Sequence, residues 1–223
     1  MPSGNVTGRA NLAARAAALA EEALRHTVIP TYFRTDLTWD EQVHRRGKPL
    51  PYLKVATTLV KEYGLQTIVE IGSMRLPMQH ALDEFNPVCC NDGHSTAHFA
   101  ATGADVFTVD ADPRCAAVLE PFVRRYPKLK AFTGDGIAFL AQFKSAIDLL
   151  YLDAWDVATG TNYAEKHLEA YRTALPKLAA SCLVQIDDTD ILNGGKGRLA
   201  IPRMIRDGFE LVTWGRQAIL ARG

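Results

Sequence analysis

The chain has 223 residues, enough for one large domain or two small ones. Hydrophobic residues make up 48% and charged residues 22%, and 25 basic side chains balance 25 acidic ones. With no basic stripe, a nucleic-acid backbone is not expected as a partner, and the longest apolar runs are strand-sized, too short to cross a membrane.

Residues 1–8 are rich in Pro, Ser, Gly and Asn and carry no structural pattern. Arg9 to about Thr27 reads as an alanine-rich helix with Leu12, Ala16, Leu19 and Ala23 on one face, ended by Pro30. Residues 31–51 have no clean period and read as a cover segment. Tyr52 to Tyr63 is a second helix, stopped by Gly64. Strand and helix then alternate. Thr67–Ile71 is a strand, followed by Gly72 and an irregular stretch over 74–91. Gly93–Thr102 is a helix and Asp105–Val109 a strand ending at Asp110. Asp112-Pro113 opens the next helix as N-cap and first turn. Lys130–Thr133, a short helix over 137–143, the strand from Ile147, a helix over Tyr163–Leu175 and the strand Cys182–Ile186 follow. A glycine loop, a helix over Leu199–Arg206 and a closing strand pair around Gly215 complete the chain.

This order implies an α/β fold with a mostly parallel sheet, helices on both faces and an antiparallel closing strand. Residues 1–64 form a helical extension or cover, and 65–223 the ligand-binding domain with an insertion at 74–91. The N-terminal apolar helix could serve a homodimer. The cysteines Cys89, Cys90, Cys115 and Cys182 have no disulfide spacing, and no secretory signal opens the sequence, so a cytoplasmic location is expected.

The stretch Ile147 to Asp156 is an apolar strand that ends in an acid, an indole and a second acid. Cys182–Ile186 has the same design and runs into Asp187-Asp188-Thr189-Asp190. If the two strands are neighbours, Asp153, Asp187 and Asp188 converge at one sheet edge, and carboxylates that close need a cation or shared protons. Acids also stand at or near the ends of three earlier strands: Glu70, Asp110 and Asp135. Each could be a helix cap. Together, with a glycine in the first turn, they suit an adenosine ligand with a cationic end, and S-adenosylmethionine fits. A dinucleotide fits poorly, because Glu70-Ile71-Gly72-Ser73 lacks the Gly-x-Gly-x-x-Gly turn.

On these residues, the chain resembles the class I S-adenosylmethionine-dependent methyltransferases over about 65–222. Within them it looks like the metal-dependent O-methyltransferases of the catechol O-methyltransferase type and, more loosely, the sugar O-methyltransferases of antibiotic pathways. The resemblance implies a Rossmann-like fold with a seven-stranded sheet. Asp153, Asp187 and Asp188 would be Mg²⁺ ligands. Glu70, Gly72 and Ser73 take the first-motif positions, and Asp92-Gly93-His94-Ser95-Thr96 resumes that pattern, with Ser95 at the position that binds the methionine carboxylate. Asp110 would hold the ribose, Asp135 would lie beside the adenine and Trp155 would pack along cofactor or substrate. The segment Ser73 to Asp92 is an insertion relative to the family. The catechol enzymes have a lysine base one residue after the Trp, where this chain has Asp156, which makes a sugar or other vicinal hydroxyl a plausible acceptor.

The implied activity is methylation of a small-molecule hydroxyl. Mg²⁺ would acidify the hydroxyl, and Asp156, His44, His80 or His94 would take its proton. A metal-independent enzyme with a histidine base and a non-catalytic binding protein on the same fold are the alternatives. Cys89, Cys90, Asp92, His94 and His98 suggest zinc only by proximity. Gly194-Gly195-Lys196-Gly197 lacks the phosphate-loop pattern, although Lys196 could touch an anionic substrate. Arg45-Arg46 reads as solvated charge, and no Gly-x-Ser-x-Gly elbow is present.

Overall fold

The computed structural model describes residues 11–24, 49–78, 94–158 and 160–223. Seven strands form one sheet: β1 (Thr67–Ile71), β2 (Asp105–Asp110), β3 (Leu129–Thr133), β4 (Ile147–Leu152), β5 (Leu178–Ile186), β6 (Glu210–Trp214) and β7 (Ala218–Arg222). Their order is β3-β2-β1-β4-β5-β7-β6. The first five strands are mutually parallel, and β7 runs antiparallel to both β5 and β6. The antiparallel strand thus lies inside the sheet rather than at its edge. β5 begins at Leu178, four residues before the apolar run Cys182–Ile186: Leu178 pairs with Ile147, and the register shifts before Leu183 pairs with Leu149.

Among the described residues, seven α-helices cover the sheet: α1 (Leu12–Leu24), α2 (Leu50–Glu62), α3 (Ser95–Ala100), α4 (Arg114–Arg125), α5 (Gly136–Gln142), α6 (Tyr163–Ala174) and α7 (Ala200–Arg206). Alternation of side chains along the strands divides the core in two. Ile68, Val106, Leu149, Tyr151 and Leu183 pack with Leu12, Leu53, Leu59 and Phe99 of α1, α2 and α3. Val69, Ile71, Leu150, Leu152 and Val184 pack with Leu140, Tyr171 and Met204 of α5, α6 and α7. The six residues of β4 are all buried, as a continuous apolar run in a two-sided sheet requires. Asp148 is the exception in character. Its carboxylate accepts from the backbone N–H groups of Gln66 and Thr67 at 2.8 and 3.1 Å, which fixes where β1 begins.

The buried face of α1 is Leu12, Ala13, Ala16, Ala20 and Leu24. Ala23, expected on that face, is exposed, because the apolar stripe follows the 3-4-4 spacing of Ala13, Ala16, Ala20 and Leu24. Both N-terminal helices share the apolar cluster of the sheet. No described helix is long and apolar enough to cross a membrane.

Across the first face, one or two residues short of the strand ends, runs a row of buried polar side chains. Thr108 is level with Glu70, Glu70 with Tyr151 and Tyr151 with Gln185. All four are inaccessible to solvent. Gln217 Nε2 donates to the Tyr151 hydroxyl at 2.9 Å, and Gln185 Nε2 donates to Gln217 Oε1. Hydrogen bonding of this kind is what lets polar groups occupy a core.

Candidate functional site

The strand order reverses between β1 and β4. Open α/β sheets bind ligands outside the carboxyl ends of the strands at such a point. A cleft of about 510 Å³ opens there, lined among others by Ser73, Asp110, Asp135, Asp153, Trp155, Asp156, Asp187 and Asp188. Aspartates outnumber arginines in its lining by seven to three.

Gly72 and Ser73 follow β1. Gly72 has φ +92°, and a Cβ at this position would lie 2.4 Å from the Asp153 carbonyl oxygen. The glycine is therefore required for the close approach of the β1 and β4 ends. Ser73 N–H donates to Asp110 Oδ2 at 2.9 Å, and Asp112 N–H donates to Asp110 Oδ1 at 2.9 Å. One carboxylate thus holds the turns after both β1 and β2. Asp112, expected as the N-cap of the next helix, precedes the observed cap Pro113; it accepts from the Arg114 N–H at 2.9 Å, and its paired guanidinium holds its pKa down to about 2. Asp135 caps α5 by accepting from Ala138 N–H at 2.8 Å, while still lining the cleft.

Glu70 and Ser95 stand away from the cleft lining. Ser95 Oγ and Thr96 Oγ1 each donate to Glu70 at 2.6 Å. Glu70 is fully buried, and burial raises its pKa to about 7. The cause is strand alternation. Glu70 is one residue short of the strand end, so it faces α3 while Ile71 faces the cleft. Gly93, His44, His80, Cys89, Cys90 and Asp92 lie outside the described residues. His94 is 6% exposed and absent from the cleft lining.

The acids after β4 and β5 do converge. Carboxylate oxygens of Asp153, Asp187 and Asp188 lie within 4.8 Å of one another. They are not alone. Lys196, 1% exposed, places Nζ 2.6 Å from Asp153 Oδ1 and 2.9 Å from Asp188 Oδ2. Arg216, its side chain 3% exposed, pairs with Asp188 Oδ1 through Nη1 and with Asp187 Oδ2 through Nη2 at 3.3 Å, and lies 3.8 Å from Asp190. Neither cation was expected here from the sequence. Lys196 stood in an unmatched glycine loop, and Arg216 carried no signal beyond its place in the closing turn.

A Mg²⁺ ion takes oxygen ligands at about 2.1 Å in near-octahedral geometry. Oxygens within 4.8 Å of one another approach that arrangement, in which no two ligands are more than about 4.2 Å apart. Every carboxylate among them, however, is already bonded to a buried cation of the chain. A divalent ion on all three would share its ligands with a buried ammonium and a buried guanidinium that repel it. As they stand, these residues do not fit a divalent ion.

Asp156 lines the cleft and forms an ion pair with Arg75 at 3.2 Å, both well exposed. Trp155, at φ +50°, lines the cleft and sits edge-on to His167, with ring centroids 5.2 Å apart. His167, which the sequence did not single out, is fully buried, and its Nδ1–H donates to the Tyr163 carbonyl at 2.7 Å. Desolvation lowers its pKa to about 3, so the ring is neutral.

No known protein-family profile matches the chain, and no curated protein matches it by sequence. Solved structures do match. The chain is similar to cofactor-bound Rv0187 from MTB at 15% identity and a TM-score of 0.52, over 97% of this chain and 92% of that one. It is similar to the O-methyltransferase TomG from Streptomyces achromogenes, involved in tomaymycin synthesis and solved with S-adenosylmethionine (SAM), at 14% identity and a TM-score of 0.52, over 93% and 90%. TrmN from Thermus thermophilus matches at 14% identity and a TM-score of 0.52, over 78% of this chain and 49% of that one. At this identity the likeness is one of fold: the chain has the Rossmann-like fold of the class I methyltransferases.

Proposed function

We propose that the chain is a SAM-dependent methyltransferase acting on a hydroxyl of a small molecule. The observation that carries this reading is the alignment of Asp110, Asp135 and Asp153, from the ends of three parallel strands, along one cleft at the β1/β4 reversal. When bound, SAM supplies an electrophilic methyl group on a sulfonium. The acidic excess of the cleft suits such a cationic ligand and disfavours a pyrophosphate. Asp110 is aimed by two backbone N–H groups, and each of its oxygens retains a lone pair for a ribose hydroxyl. Asp135 stands one strand further along, where an exocyclic amine would meet it, and Trp155 provides a flat apolar wall. Asp156 is the proton acceptor for the hydroxyl; it lines the cleft and pairs with an exposed arginine.

Assistance by Mg²⁺ rests on the proximity of the three carboxylate oxygens alone, and Lys196 and Arg216 count against it.

Calorimetric titration with S-adenosylhomocysteine tests the reading. Micromolar binding, followed by methyl transfer from labelled SAM in a screen of hydroxylated acceptors, is the expected outcome. Absence of binding overturns it.

A further inference from the structure

We infer that Lys196 and Arg216 are the resident cations of the Asp153, Asp187 and Asp188 cluster and hold the place of a divalent ion, so that the site is built to work without a metal. This concerns the same site as the proposed methyl transfer, but its main test does not depend on that activity.

The backbone is arranged to deliver both cations. Gly195 has φ +49°, and a Cβ there would lie 1.7 Å from the Asp188 carbonyl oxygen, so only glycine allows the turn to press against that acid. Lys196 N–H then donates to the same carbonyl at 3.2 Å. The short turn Gly195–Gly197 is thus fastened to the residue that its lysine neutralises. Arg216 is fastened as firmly. Its N–H donates to the Tyr52 hydroxyl at 3.2 Å, and its carbonyl accepts from Thr189 N–H at 3.1 Å. Thr189 Oγ1 donates to the Gly215 carbonyl at 2.6 Å. Two charged side chains this deeply buried occur when they are paired, and both are paired within this cluster: Lys196 with Asp153 and Asp188, Arg216 with Asp187 and Asp188.

The consequence for the site is positional. Asp153 lines the cleft, and Lys196 does not. Lys196 is therefore a positioning residue. Its ammonium holds Asp153 Oδ1 from behind, and Arg216 braces Asp187 and Asp188. The remaining negative charge opens on the cleft through Asp153, whose side chain is 25% exposed.

The test is a titration of purified protein with Mn²⁺, free ion being counted by electron paramagnetic resonance, for the wild type, Lys196→Met and Lys196→Arg. S-adenosylhomocysteine binding is measured in parallel. The wild type and Lys196→Arg are expected to hold no Mn²⁺ below about millimolar ion, while Lys196→Met gains a site about tenfold tighter or better. One tightly bound Mn²⁺ per wild-type chain, lost in Asp153→Asn, overturns the inference. If Lys196→Met fails to fold by circular dichroism, the wild-type titration decides alone. Should methyl transfer be found, a chelator is expected to change turnover less than about twofold; its abolition by chelator and restoration by Mg²⁺ likewise overturns the inference. Failure to bind S-adenosylhomocysteine would count against the proposed function and leave the metal result standing.

Discussion

The Tyr52 hydroxyl accepts a hydrogen bond from the Arg216 N–H at 3.2 Å, joining a helix near the start of the chain to the turn that carries a buried guanidinium. Tyr52 is itself buried, and desolvation together with the nearby Asp190 raises its pKa, so it stays a neutral phenol. Tyr52→Phe removes the acceptor and leaves a buried N–H unmatched. A stability loss of about 1–2 kcal/mol is expected by urea denaturation, with a parallel loss of methyl transfer. Unchanged stability would mean that Arg216 needs no support from α2.

Glu70 makes folding sensitive to pH in a defined window. Its folded pKa, about 7, lies above its ordinary value of 4.5 because burial outweighs the hydroxyl donors. The folded state therefore binds the proton more tightly. The contribution is fully present below about pH 4.5 and is lost as pH rises through about 7. Glu70→Gln should gain on the wild type across that window by on the order of 3 kcal/mol. Denaturation curves of both proteins at pH 4.5, 6 and 7.5 give the difference, and a constant difference refutes the assignment.

His167 acts in the opposite sense. Its folded pKa of about 3 lies below the ordinary 6.5, so its contribution is present above pH 6.5 and falls away as pH drops toward 3. Between about 4.5 and 6.5 the two groups offset each other in the wild type. In Glu70→Gln the histidine acts without that opposition, and stability should decline steadily with acid over that range.

Gly72→Ala would place a methyl group 2.4 Å from the Asp153 carbonyl oxygen at a φ of +92°. Separation of the β1 and β4 ends is the only relief. We expect a loss of about 3 kcal/mol or more, together with loss of S-adenosylhomocysteine binding. Calorimetry showing full binding by a folded variant would remove this junction from the cofactor site.

Asp156→Asn separates chemistry from stability. The Arg75 pair is exposed on both sides, so its loss should change stability by less than about 0.5 kcal/mol. Loss of the proton acceptor should lower kcat by about 10²-fold with cofactor affinity unchanged. A variant with normal kcat would transfer the role of base to another group.

Much of the architecture was legible because strands buried on both faces announce themselves as apolar runs, as Ile147–Leu152 does, and because strand-helix alternation fixes a parallel order. That order was enough to bring Asp153, Asp187 and Asp188 together. What the sequence did not disclose was their company. Charged residues read as surface unless something pairs them, and Lys196 meets Asp153 across 43 residues and Arg216 meets Asp188 across 28. Glu70 was misleading for a geometric reason: a one-residue offset from the strand end turns a side chain to the other face of the sheet. The antiparallel closing strand was legible, but its place was not: chain order gives no sign that β7, last in the chain, pairs on both sides.

That interior position of β7 bears on how the protein comes to be made. Vectorial synthesis delivers β1 to β5 first and lets them associate as they emerge. β6 has no neighbour in the sheet other than β7. It must wait, together with the open flank of β5, for Ala218–Arg222. Arg216, two residues ahead of that strand, reaches the acids at the same moment. Until then the sheet presents an unpaired flank and the cluster lacks one of its two cations. Closure of the sheet and neutralisation of the site are in effect one late event, and a ribosome paused before residue 216 would hold a chain that is incomplete in both respects.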